Sequence, residues 1–137
     1  MTTLRMLDTD IISYVIKKRP PEIEQRFAEL PPSSLCISTV TRAELLYGLR
    51  RLPLIHPLHR AVNQFLETIT TLPWDSTAAD YWADIRFHLE KGGQLIGQMD
   101  MMIAAHSLSA NAILVTNNTR HFDRIEAPLM LENWTVS

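Results

Sequence analysis

The stretch Leu4-Arg-Met-Leu-Asp-Thr-Asp-Ile-Ile12 sets an apolar run against two carboxylates, Asp8 and Asp10, before a second apolar segment begins. A short strand over Leu4–Leu7 and a helix over Asp10–Lys17 account for this pattern, with acids at the junction. Similar units follow. Leu35–Ser38 reads as a buried strand, and the helix after it, from Val40 to Arg51, carries Glu44. Ala112–Val115 is another apolar strand, closing on Thr116, Asn117 and Asn118. Asp100 lies in the first turn of a helix over Met99–Leu108 and interrupts an otherwise apolar run. In a parallel sheet the carboxyl ends of the strands converge, so side chains from distant segments meet there. Carboxylates gathered in this way repel one another, and a hard divalent cation such as Mg²⁺ relieves the repulsion.

The rest of the chain alternates in the same manner. Glu22–Leu30 forms a short helix stopped by Pro31-Pro32, and Leu58, Val62, Phe65, Leu66 and Ile69 recur with helical spacing. Leu72–Trp74 reads as a strand. Asp75 or Ser76 caps a helix that presents Ala78, Trp82, Ile85 and Leu89 on one face and ends at Gly92-Gly93. A helical turn over Arg120–Ile125 and a last strand near Leu129–Leu131 complete the path. Strands alternating with helices predict an α/β fold of three layers, with a central, mainly parallel sheet covered on both faces.

The 137 residues suit one domain spanning 1–137. Hydrophobic content of 46% with 20% charge belongs to a globular chain rather than a disordered one. The single cysteine, Cys36, has apolar neighbours and cannot form an intrachain disulfide. The five histidines show no compact zinc spacing with it. No apolar run approaches the roughly 20 residues that span a bilayer, and the first residues lack a signal-peptide layout. A cytoplasmic, soluble protein with no membrane partner is the expectation. The net charge of −2 conceals an asymmetry: residues 1–60 carry nine Lys or Arg against six acids, and the remainder four against nine.

Each acid has two readings. Asp8 at a strand-to-helix junction serves as an N-cap or as a metal ligand. Because it stands closer to the strand end, it is assigned to the metal and Asp10 to capping or a supporting role. Thr41-Arg-Ala-Glu44 fits a capping box, in which Glu44 reaches back to the N-cap amide. Asp100 suits a helix dipole, yet a carboxylate before a buried apolar run is costly without a partner. Asn117 and Asn118 suit the end of a strand, and His106 suits packing.

Asp8-Thr-Asp10 after a strand also resembles the nucleophile motif of haloacid-dehalogenase phosphatases. Those enzymes require a later lysine, and none of the 21 residues after Thr116 is lysine. A different resemblance holds over the whole chain. Met6-Leu-Asp-Thr-Asp-Ile-Ile12, Ile37-Ser-Thr-Val-Thr-Arg-Ala-Glu-Leu45, Ile96-Gly-Gln-Met-Asp-Met-Met-Ile-Ala-Ala-His106 and Leu114-Val-Thr-Asn-Asn-Thr-Arg-His-Phe122 together closely resemble VapC toxins, the PIN-domain ribonucleases of bacterial toxin–antitoxin pairs.

The resemblance implies a Mg²⁺-dependent endoribonuclease, with Mn²⁺ as a substitute, acting on structured RNA such as tRNA. Asp8, Glu44 and Asp100 match the acidic cluster, with metal falling chiefly on Asp8 and Asp100. Two departures stand out. Asn118 and His121 occupy positions where related proteins often carry an acid, and Asp10 replaces a common Asn. Asp10, Thr116, Asn118 and His121 are therefore auxiliary candidates. Arg42, Arg50, Arg86 and Arg120 are candidates for phosphate contacts, chosen by nearness to the motifs. The resemblance further implies a VapB-type antitoxin lying across the acidic groove, homodimers and toxin–antitoxin hetero-oligomers. Leu46, Tyr47 and Leu49 supply more apolar surface than one helix face needs.

Overall fold

The computed structural model describes residues 3–135. Five short strands, β1 (Arg5–Leu7), β2 (Leu35–Ser38), β3 (Thr70–Leu72), β4 (Ile113–Val115) and β5 (Leu131–Glu132), form one sheet. Their order is β3-β2-β1-β4-β5 and every pairing is parallel. Seven α-helices connect them: α1 (Thr9–Lys17), α2 (Pro21–Glu29), α3 (Thr39–Arg50), α4 (Leu58–Thr68), α5 (Ser76–Lys91), α6 (Gln98–Ser109) and α7 (Thr119–Phe122).

Period-two alternation sends Leu35 and Ile37 to one face of the sheet, where they join Leu7, Val115 and Ile11, Ile12, Leu49, Val62, Phe65 and Leu66 from α1, α3 and α4. Leu114 faces the opposite layer with Ile85, Leu89, Met101, Ile103, Ala104, Ala105 and Phe122 from α5, α6 and α7. The central strands are thus sandwiched, as a parallel sheet requires. Small Ala104 and Ala105, both fully buried, let α6 pack closely against its surroundings.

Three elements differ from the sequence reading by more than one residue at an end. The third strand lies at Thr70–Leu72, before Pro73, because proline brings no ladder donor while β-branched Thr70 and Thr71 suit the pleat. The last strand is Leu131–Glu132, placed beside β4 by Leu114 N–H to Met130 O and Thr116 N–H to Glu132 O bonds. The turn near Arg120 is a helix over Thr119–Phe122.

Glu132 ties the last strand down. It accepts from Arg5 Nε at 3.0 Å, Arg26 at 2.9 Å and Trp134 Nε1 at 2.6 Å. Burial works to raise its carboxyl, but these donors and the Arg5 and Arg26 charges outweigh that and hold it below its ordinary value. No helix among the described residues is long and apolar enough to cross a membrane.

Candidate active site

The chain runs outward from β1 through β2 to β3, then returns to place β4 on the other side of β1. The crevice between the carboxyl ends of β1 and β4 is therefore the point where the winding reverses, the usual binding site of an open α/β sheet. Asp8 follows β1 there and Thr116 follows β4.

Asp8 is 5% exposed, and its Oδ1 accepts the Ile11 N–H at 3.0 Å. It is the N-cap of α1, and Asp10 sits exposed in the first turn. The capping role given to Asp10 thus belongs to Asp8, because only the residue with extended backbone before the helix can aim its carboxylate at the free N–H groups. Capping uses one oxygen and leaves Asp8 able to serve a second partner. Burial pushes its carboxyl up to about 6, against hydrogen bonds from Thr116 and Ile11, with the charges of Asp10 and Asp100 pushing the same way as burial.

Glu44 is not part of a capping box. Ser38 caps α3, accepting Val40 N–H at 3.0 Å, so Glu44 lies well inside the helix. Thr41, the expected cap, is fully buried, and its hydroxyl has no partner among the described residues. Glu44 Oε1 instead accepts the Thr9 hydroxyl at 2.6 Å, an alliance between α1 and α3. Burial raises the Glu44 carboxyl, Thr9 opposes this, and the charges of Asp100 and Asp10 add to the rise. Thr9 escaped the sequence reading, although its place between two acids was the available signal.

Asp100, in the first turn of α6, is also raised by burial and by Asp10, against the influence of His121. His121 Nδ1 lies 3.7 Å from Asp100 Oδ2 and 2.8 Å from the side-chain amide of Asn118. The Asn118 backbone N–H donates to Thr116 Oγ1 at 3.0 Å, and Thr116 in turn donates to Asp8. Thr116, Asn118 and His121 thus form a polar arc from one aspartate to the other. Asn118 stands at the start of α7 but makes no capping bond with its side chain, which serves His121 instead. Asn117 donates to the Tyr14 hydroxyl at 2.9 Å and takes no part in the arc.

The main influences on the three carboxyl groups are burial and their neighbours' charges, not arginine. Arg42 and Arg50 are exposed on α3 and Arg120 is exposed on α7. Arg86 lies over the Trp82 ring and pairs with Glu90 at 3.7 Å. Among the described residues no three Asp, Glu, His or Cys side chains already stand where one ion would join them. The all-oxygen donor set of Asp8, Glu44 and Asp100, with each carboxyl pushed towards its neutral form, nevertheless suits a hard divalent cation. Two of the clefts among the described residues differ in how they bear on the site. One of about 330 Å³ lies between α5 and residues 124–127 and touches none of these acids. The other, about 250 Å³, begins at Thr9, Asp10 and Glu44 and runs along α1, α3 and α4 to Leu58 and Val62.

The PIN domain family model matches residues 5–128. A protein from Haemophilus influenzae named ribonuclease VapC2 is 42% identical over 129 residues, covering 94% of this chain and 96% of the relative. One from Shigella flexneri, named tRNA(fMet)-specific endonuclease VapC, is 38% identical over 130 residues, covering 95% and 97%. The fold matches a chain in the crystal structure of VapBC2 from Rickettsia felis bound to a DNA fragment from its promoter, with TM-score 0.87, 33% identity and coverage of 96% and 99%. The strand order, the acids at the winding reversal and these end-to-end likenesses have one conclusion: the chain belongs to the PIN-domain family and, within it, to the VapC toxins.

Proposed function

We propose that the chain is the ribonuclease of a toxin–antitoxin pair, a Mg²⁺-dependent endonuclease that hydrolyses phosphodiester bonds in structured RNA, with tRNA as its substrate. The observation that carries this reading is the gathering of Asp8, Glu44 and Asp100, each raised by burial and by other acids, at the crevice between β1 and β4. The likeness to a tRNA-specific endonuclease supports the substrate class.

When bound, the cation supplies an acidified water and charge neutralisation at the phosphate. Asp8 and Asp100 hold it, with Glu44 joining directly or through water. Thr9 orients Glu44, while the Thr116-Asn118-His121 arc fixes the other two acids relative to each other. The exposed guanidinium groups of Arg42, Arg50 and Arg120 offer phosphate contacts that offset the acidic crevice. Antitoxin-free protein incubated with total tRNA and Mg²⁺ is expected to yield discrete fragments with 5′-phosphate and 3′-hydroxyl ends. EDTA and Asp100→Asn should each abolish them. Cyclic phosphate ends would contradict the water nucleophile, and cleavage undiminished in EDTA would remove the metal.

The likeness to chains from VapBC complexes supports a VapB-type partner, and the cleft that begins at Glu44 is suited to receive it. Leu45, Leu49, Leu52, Leu58 and Val62 line its apolar length, and Asp10 and Glu44 place negative charge at its head. Gly48 also lines this cleft, and a Cβ built on it meets nothing within 4 Å. A glycine inside a helix costs about 1 kcal/mol relative to alanine. No packing within the chain fills this position, which leaves room for a partner's side chain. Gly48→Leu is expected to keep cleavage and weaken inhibition by antitoxin at least about tenfold, the scale of one lost apolar contact. Unchanged inhibition would place the antitoxin elsewhere.

A further inference from the structure

His106 is 3% exposed, on α6, and takes no part in the acidic crevice. Its Nδ1 lies 2.7 Å from the Ser38 hydroxyl, which is fully buried at the end of β2 and caps α3 by accepting Val40 N–H. Burial lowers the tendency of the imidazole to take a second proton, against the Asp75 charge and the nearby Pro73 backbone. With N–H on Nε2, Nδ1 accepts the Ser38 O–H while the lone pairs of that oxygen receive Val40. Trp74 reinforces the same junction, with its backbone N–H donating to Thr39 Oγ1 at 3.1 Å and its indole N–H to the Met102 carbonyl at 2.9 Å.

The position of this junction matters more than its strength. Glu44 lies six residues after Ser38 on α3, and Asp100 lies six residues before His106 on α6. Each carboxylate is therefore about 9 Å of helix rise from the tie. Ser38, the N-cap of α3, meets His106 of α6, and the charge of Asp100 acts on Glu44. The Ser38–His106 bond, the Trp74 bridge and the Val40 side chain together join the start of α3 to α6, so a change in this bond alters the gap between the acids.

We propose that Ser38 and His106 are positioning residues, a buried hydrogen-bonded hinge that sets the separation of Glu44 and Asp100 and thereby the affinity of the crevice for its cation. The proposal rests on the nuclease reading above, and two substitutions isolate the relevant bond. Asn places its Oδ1 where His carries Nδ1, so His106→Asn keeps the acceptor for Ser38. Gln places its amide nitrogen where His carries Nε2, so His106→Gln keeps a donor on the Pro73 side and loses the hinge. Ser38→Gly removes the hydroxyl at little cost to capping, since glycine is itself a tolerated N-cap.

Mg²⁺ binding would be titrated calorimetrically, alongside kcat and KM for RNA. His106→Gln and Ser38→Gly are expected to weaken Mg²⁺ about tenfold and to lower kcat, with KM for RNA unchanged. His106→Asn should recover most of both losses. Native Mg²⁺ affinity in His106→Gln and Ser38→Gly, or equal losses in His106→Gln and His106→Asn, would overturn the hinge while leaving a native chain that cleaves. A native chain that binds no Mg²⁺ and cuts no RNA would instead overturn the nuclease reading and the hinge with it.

Discussion

Asp8→Asn is expected to give a protein that cuts no RNA and yet unfolds at higher denaturant concentration than the native chain. Both effects come from the same burial. The Asp8 carboxyl is pushed up to about 6, from an ordinary value of 3.8, chiefly by loss of water. Between those values the folded chain retains a proton that the unfolded chain has released, so stability falls as pH rises through that window. At neutral pH both states are ionised and the full penalty stands, about 2 to 3 kcal/mol. Asparagine has no charge to bury, still caps α1 through Ile11, and still accepts from Thr116.

Urea titrations in EDTA should therefore show Asp8→Asn more stable than the native chain at pH 7.5, with the difference vanishing towards pH 4. Cleavage should fall at least about a hundredfold, the scale of losing one charged group aimed at the reacting centre. Added Mg²⁺ should stabilise the native chain and not the variant, because the cation relieves the same penalty. A variant that cleaves like the native chain would remove Asp8 from the chemistry. One that is less stable at pH 7.5 would show that capping outweighs the buried charge.

Phe122→Ala carries the largest expected loss of stability, about 3 to 5 kcal/mol, the cost of deleting a buried aromatic ring. The ring is 1% exposed and packs in the layer containing Leu114, Met101 and Ile125. Four residues of helix do not persist on their own, so this ring holds α7 against the sheet. His121 is the preceding residue and Asn118 stands at the start of the same helix, so loosening α7 also slackens the arc between Asp8 and Asp100. A domain stable by 5 to 15 kcal/mol survives the change, with cleavage reduced at temperatures where it is still folded. Phe122→Leu should lose less of both. A stability loss below about 1 kcal/mol in Phe122→Ala would mean that neighbouring side chains refill the space.

Local pattern was a reliable guide to what local physics controls. Leu35-Cys-Ile-Ser38 is apolar and partly β-branched, and it is a strand on the expected residues. The helix after Asp75 is capped as anticipated, its carboxylate accepting Ala78 N–H at 3.1 Å. The order of acids along the chain and the parallel sheet implied by alternating elements together located the crevice. The capping assignments went wrong for a physical reason. Asp8 and Asp10 are equally able chemically, and only the backbone angle at the helix start decides which one caps. A box over Thr41–Glu44 likewise presumed a helix beginning three residues too late.

By itself the sequence determined the elements and the layers and offered the carboxylates as candidates, because hydrophobic periodicity and turn chemistry act between near neighbours. Only the tertiary structure decided their alliances. Thr9 meets Glu44 across 35 residues, Ser38 meets His106 across 68, and Arg5 meets Glu132 across 127. Such pairings leave no periodic trace. A buried polar group must find some partner, but which one it finds depends on the register of the sheet and the packing of the helices above it.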